Sequence, residues 1–313
     1  MGSPGIRSLL PTAFLLAAAW SQAAAQADVG STRKPRLWRV PKDLPTVQAA
    51  IDSARERDTV LVAPGRYYEN LRLRGYNIVL GSEFLLTRDS ALIGRTVLDG
   101  SRPSHPDSGT VLSIYQFEDS TTVIEGFTIT GGTGTVWYDN KDKIMFREGG
   151  GILIDLAGPT VRHNVITDNR ADETRPGVLS AGGGGVRIGF GDPLLERNVI
   201  RRNSGRYGGG VVVFHAAAIL RGNVIADNTG GQDFGGAGLW IRGHFSRRLP
   251  SLIEDNVITG NVAQGHDGKG QLRRPPAQAG KGGGIIGAAL QAVFRRNVVR
   301  DNRPNDTEGI PER

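Results

Sequence analysis

The sequence contains no cysteine, which excludes a disulfide framework and thiolate-bound metal and leaves the fold to core packing and hydrogen bonds. It has no Ser-His-Asp arrangement, phosphate-cradling loop or zinc spacing. No apolar segment after the N-terminus is long enough to cross a bilayer. Positive charge predominates at +7 but is dispersed, without a Lys/Arg tract or basic-aromatic RNA motif, so nucleic acid is excluded as the expected partner. An excess of this kind attracts anionic surfaces and acidic polysaccharide. Sustained helical periodicity is missing as well. What the chain has in abundance is glycine, 45 of 313 residues, with neither a G-x-y period nor low complexity. Those glycines must serve recurrent backbone positions.

The first residues read as a secretory signal. Arg7 supplies the positive region, Ser8 to Trp20 a largely apolar stretch of 13 residues, and Ala25-Gln26-Ala27 an A-x-A site. Cleavage is expected after Ala27, which makes residues 1–27 a signal peptide and the mature chain an exported one.

Self-similarity decides the fold. Five segments, Gly149–Asn169, Gly182–Asn203, Gly208–Asn228, Gly235–Asn261 and Gly282–Asn302, each open on a glycine cluster and close on Asn-Val-Ile/Val-x-x-Asn. In four of them the last glycine of the cluster precedes the first Asn by 13 residues; Gly238 and Asn256 are 18 apart. The two Asn are five apart every time. Each copy holds three short strand-like runs joined by bends too tight for hairpins, so each strand pairs in parallel with its counterpart one coil along. Stacked Asn amides then donate to one neighbour and accept from the other, and Asn tolerates the left-handed conformation of a sharp bend. Upstream, Thr122–Gly132 aligns on the repeat, with Ile124 on Val161, Ile129 on Ile166, Phe127 at the first Asn position and Gly132 at the second. Further strands are expected at Thr59–Ala63, Asn70–Leu73, Asn77–Leu80, Thr96–Leu98 and Thr110–Ile114. Val47, Ala50, Ile51 and Ala54 recur at helical spacing after Pro45-Thr46.

The expectation is an all-β, right-handed parallel β-helix: a three-sided solenoid of about seven to eight coils over residues 59–303. Residues 28–58 form an N-terminal segment with a short capping helix. Residues 304–313 form a tail that folds over the last coil, meets a partner or marks a truncation.

The repeats, with Val62-Ala63-Pro64-Gly65-Arg66-Tyr67-Tyr68-Glu69-Asn70 and Gly126-Phe127-Thr128-Ile129-Thr130-Gly131-Gly132, resemble bacterial secreted parallel β-helix repeat proteins of the pectin-lyase-like superfamily. The resemblance spans about residues 40–303 and implies the fold. It implies no single activity, because that scaffold hosts lyases, hydrolases, esterases, epimerases and adhesins. The opening segment is similar to the start of pectin methylesterases, which need an Asp-Phe-x-Phe-Gly element and a later Arg-x-Trp pair. Here only Gln232-Asp233-Phe234-Gly235 comes near, and no Arg-x-Trp follows. The esterase site is therefore not carried over.

Function is expected where coils differ. Alternation points Ile152, Ile154, Val186, Ile188, Val211, Val213, Leu239 and Ile241 inward. Leu153, Asp155, Arg187, Val212, Phe214, Trp240, Arg242 and Ile286 then face outward, with His215 just past its strand. The connections Thr133–Glu148, Arg170–Ala181, Ser204–Tyr207, Thr229–Gln232 and Val262–Lys281 leave one corner beside that face, and carry Trp137, Tyr138, Asp139, Asp142, Lys143, Asp172, Glu173, Tyr207, His266, Asp267 and Lys269. Aromatics beside charges suit a sugar ring and its hydroxyls or carboxylates. The leading expectation is a polysaccharide-binding or cell-surface interaction protein, its ligand touched by Trp137, Tyr138, Asp155, Tyr207, Phe214, His215 and Trp240. The alternative is a Ca2+-assisted lyase on an acidic glycan, with Arg187 or Arg242 as base and Asp139 and Asp172 among the metal ligands. A glycoside hydrolase is less favoured because no carboxylate pair is visible on the strands.

Overall fold

A computed structural model describes residues 33–140, 143–171, 176–230, 235–243, 249–264, 281–288 and 292–310. The expected signal lies outside these, as do Asp142, Asp172, Glu173, Asp233, His266, Asp267 and Lys269. The chain divides into Met1–Pro35, of which residues 33–35 are described as exposed coil, and a unit from Arg36 to Arg313.

Three long sheets carry the unit, each built from strands that pair in parallel with the equivalent strand of the next coil. Sheet 1 contains Leu112–Ile114, Ile152–Asp155, Val186–Gly189, Val211–Phe214, Leu239–Arg242 and Ile285–Ala288 among its eight strands. Sheet 2 has nine strands, running from Leu37–Val40 through Thr160–Arg162 to Ala292–Arg295. Sheet 3 has eight and includes Thr128–Thr130 and Val165–Thr167. The chain visits the sheets in rotation, which is the path of a parallel β-helix; successive parallel crossovers take the right-handed sense. The upstream register is that of the repeat: Ile124 pairs with Val161 and Ile129 with Ile166.

All eight residues assigned inward on sheet 1 are fully buried. Side chains of the three sheets meet in one continuous apolar core that includes Phe127, Ile166, Ile200, Ile225 and Ile258. The helix expected near residue 47 spans Val47–Ser53 (α1) and buries Val47, Ala50 and Ile51 in that core. The Thr46 hydroxyl accepts from the Ala49 N–H, and the Glu69 carboxylate accepts from the Val47 and Gln48 N–H groups, both at 2.9 Å. The free donors of its first turn are thereby satisfied. Two further short helices, Phe84–Thr87 (α2) and Ala91–Arg95 (α3), interrupt the coil after Val79–Ser82, where the sequence shows no repeat.

Two Asn ladders run beneath the corners. In the first, the Asn164 Nδ2 donates to Asn198 Oδ1 at 3.1 Å and to the Ile124 carbonyl at 3.0 Å, and the pattern continues through Asn223, Asn256 and Asn297. The second runs from Asn169 through Asn203, Asn228 and Asn261 to Asn302, where the Asp306 carboxylate takes the place of a further Asn. At the other end of each ladder, the Phe127 and Gly132 N–H groups donate to the first Asn. One expectation changes here. The left-handed residue at each bend is the one before the Asn: His163, Arg197 and Asp255 in one ladder, Asp168, Arg202 and Asp227 in the other. The Asn side chain turns inward instead, because only there can it bond the coils on both sides.

The glycine clusters answer a separate need. Gly183 has φ +70°, and a Cβ on it would come within 2.7 Å of the Arg187 Cβ. Gly185 sits so close to the next coil that a Cβ would be 2.5 Å from the Gly210 carbonyl oxygen. After Asn302, Asn305 receives the Gly282 N–H, Thr307–Glu308 joins the edge of sheet 1, and Ile310 packs on the core.

Candidate functional site

The connection Thr133–Glu148, expected as a loop, is a β-hairpin. Gly134–Asp139 pairs antiparallel with Ile144–Glu148, which pairs in turn with Val178–Gly182 to make a four-stranded side sheet with Ser108–Gly109. Buried Arg147 pins it, donating to the Pro106, Thr133 and Gly134 carbonyls and pairing with Asp107 at 3.1 Å. The sequence carried a signal for this: two β-prone runs, Thr135–Tyr138 and Ile144–Phe146, flank the polar stretch Asp139–Lys143.

The side sheet makes a wall against the outer face of sheet 1, and between them lies a groove of about 440 Å³. Sheet 1 contributes Arg187, Val212, Phe214, Trp240, Arg242 and Ile286, the side sheet Asp139, Phe146, Glu148 and Ala181, and a corner Tyr207. Register explains the floor. Leu153, Arg187, Val212, Trp240 and Ile286 occupy one row across consecutive coils; Asp155, Gly189, Phe214 and Arg242 occupy the next. Leu153, Arg187 and Val212 are buried despite facing outward.

Arg187 is held from several sides. Its guanidinium donates to the Ile188 carbonyl at 2.8 Å, pairs with Glu148 at 3.3 Å and lies 4.9 Å over the Phe214 ring. So fixed, it is badly placed to move a proton. Asp155, one coil away, carries a carboxyl pushed up to about 6, chiefly by burial and further by the Glu148 charge, with Arg187 and the Leu156 N–H opposing. Glu148, invisible as a partner in the linear sequence, gives the face a second carboxylate.

The rings form a connected strip. Tyr207 and Trp240 are 5.9 Å apart between centroids, Trp240 stacks with Phe214 at 6.1 Å, and His215 contacts Phe214 at 4.1 Å and stacks on Phe190 at 5.6 Å. His215 and Phe190 both take left-handed corner conformations, with φ +52° and +50°. Of the expected ligand residues, Tyr207, Phe214 and Trp240 line the groove, Asp155 borders it through Arg187, and His215 extends the strip beyond it. Trp137 and Tyr138 sit on the hairpin outside the lining, with Trp137 packed edge-on against Tyr115. Arg242 and Asp139 line the groove; Asp172 lies outside the described residues. Among the described residues, no group of three or more His, Asp or Glu side chains is arranged to hold a metal ion.

No protein-family profile matches the chain, and no curated protein matches it. Similar solved structures include pectin methylesterase PemA from Erwinia chrysanthemi, at 10% identity over 85% of this chain and 82% of that one, TM-score 0.46. Pectin methylesterase from Aspergillus niger aligns at 11% identity over 90% and 92%, TM-score 0.46. Alginate lyase from Paenibacillus sp. str. FPU-7 aligns at 10% identity over 88% and 99%, TM-score 0.30. The fold is a parallel β-helix, as the parallel strand order of its three long sheets shows. Identities this low say nothing of activity.

Proposed function

We propose that the chain is an exported polysaccharide-binding protein whose ligand lies in the groove beside the side sheet. The observation that carries this is the strip of rings Tyr207, Trp240 and Phe214 with charged groups along its edge. Rings stack on the C–H faces of sugars, while Arg242, Asp139 and Glu148 are within the same lining to meet hydroxyls. Export rests on the leader at residues 1–27; no helix among the described residues is long and apolar enough to cross a membrane.

Affinity electrophoresis of the mature chain through gels containing individual polysaccharides tests the proposal. At least one polymer should retard the protein, and Trp240→Ala should weaken that retardation about tenfold or more while leaving the melting temperature within a few degrees. Full retention of binding by the variant would remove the groove from consideration. A second reading, acid–base catalysis on a bound chain, draws on Asp155, whose carboxyl near 6 stands beside Arg187 and Glu148. Release of new sugar ends from the retarding polymer, lost in Asp155→Asn, would establish it.

A further inference from the structure

The buried cation of the groove, Arg187, is already matched to a carboxylate, and this bears on which polysaccharides the groove takes. Among the described residues its lining holds two acids, Asp139 and Glu148, and two bases, Arg187 and Arg242. The remaining lining side chains are Phe146, Ala181, Tyr207, Val212, Phe214, Trp240 and Ile286. Taking the polysaccharide reading of the groove as its premise, we propose that the ligand is an uncharged glycan segment, bound through sugar faces and hydroxyls, and not a polyuronate.

Arg187 is the one cation at the centre, and it is committed. Its side chain is 8% exposed, its two terminal nitrogens serve the Glu148 carboxylate and the Ile188 carbonyl, and its face is covered by Phe214. Its Nε is buried without a partner among the described residues and out of a ligand's reach, so a uronate must compete with Glu148 at the terminal nitrogens and weaken the pairing of that carboxylate, itself only 21% exposed. A partly buried charge that loses its counter-ion carries a large desolvation penalty. Arg242 is exposed and has no ion-pair partner among the described residues. A single exposed pair of that kind adds less than about tenfold in affinity and is screened by salt. Asp155, in the neighbouring row of sheet 1, points the same way: Arg187 stands nearby, yet burial still holds its carboxyl above the usual range. An environment that resists its own anion is poorly suited to a second. Hydroxyls, by contrast, can donate to Glu148 and Asp139 and accept from Arg242 with no net charge buried.

The test compares each of two polyuronates, polygalacturonate and alginate, with the same polymer after chemical reduction of its carboxyls to alcohols, alongside uncharged glucan, galactan, mannan and xylan. Binding is measured at about 0.02 M and about 0.5 M salt. Uncharged polymers should bind with affinities that change less than about twofold between the two salts, and any polyuronate that binds should bind more weakly than its reduced form. Glu148→Gln, nearly isosteric and checked for an unchanged melting temperature, frees Arg187 and should raise affinity for the carboxylated member about three- to tenfold. A wild-type preference for the carboxylated member, or a Glu148→Gln variant that does not shift, overturns the inference while leaving a polysaccharide groove standing. Binding to none of the polymers overturns both.

Discussion

Asp155 is where single-residue physics is sharpest. Its carboxylate rests over Gly189, where a Cβ would stand 2.3 Å from Oδ1, so the glycine of the next coil makes room for it. Burial raises the carboxyl from 3.8 to about 6, with Glu148 adding to the rise and Arg187 opposing it. The folded protein therefore binds this proton more tightly than the unfolded chain does. Stability contributed here is fully present below about pH 4 and declines as pH climbs through about 6. A shift of about two units corresponds to at most ~3 kcal/mol of folding free energy withheld at neutral pH. Asp155→Asn should thus melt higher than wild type at pH 7.5 and show no such advantage at pH 4. Thermal melts at the two pH values check this; an equal effect at both would mean that the carboxyl does not titrate differently on folding.

At the scale of elements, the ladders give the coil its rigidity, and their rungs are unequal. Asn228 Oδ1 accepts from the Asn203 N–H and Nδ2, while its own Nδ2 serves the Ile200 carbonyl and Asn261 Oδ1, all between 2.9 and 3.1 Å. Asn228→Ala strands several fully buried groups and should cost about 3 kcal/mol or more. Asp306 ends the same ladder, accepting among the described residues only from the Asn302 N–H and Nδ2, at a partly buried position. Asp306→Ala should cost about 1 kcal/mol, because water can take over. Denaturant melts of the two variants measure the gradient. The ladders were legible in the chain because a buried amide that must bond both neighbours has to recur at fixed spacing, and Asn164 to Asn302 do. The side sheet was legible only as two β-prone runs about a polar stretch, with nothing to say where it would pack. Its strands Gly134–Asp139 and Ile144–Glu148 occur once, so no recurrence marks them, and Glu148 reaches Arg187 across 39 residues. Recurrence reveals architecture, whereas the groove is made of what does not repeat.

Across the molecule, the same stacking fixes the dimensions of the aromatic strip that runs through the groove. Phe190, Phe214 and Trp240 belong to three consecutive coils, paired through Gly189↔Phe214 and Val212↔Trp240. Two inter-coil steps of about 4.8 Å place the ends of the strip roughly 10 Å apart along the solenoid, and its course from the Tyr207 corner to the His215 bend crosses the width of sheet 1 as well. With four-residue strands roughly 13 Å across, the diagonal of such a track is about 16 Å, the length of about three to four sugar rings. Because Phe214 and Trp240 sit on paired strands whose register is held by the ladders, the middle of the track is formed before any ligand arrives, and little ordering of the protein opposes binding there. Affinity should therefore climb steeply from monosaccharide to about a tetrasaccharide of the recognised polymer and then level off. Calorimetric titration with an oligosaccharide series measures it. A rise continuing well beyond that length would mean that the chain contacts the solenoid outside the groove, along further coils, whereas saturation by a single sugar would confine recognition to Trp240 and its immediate neighbours.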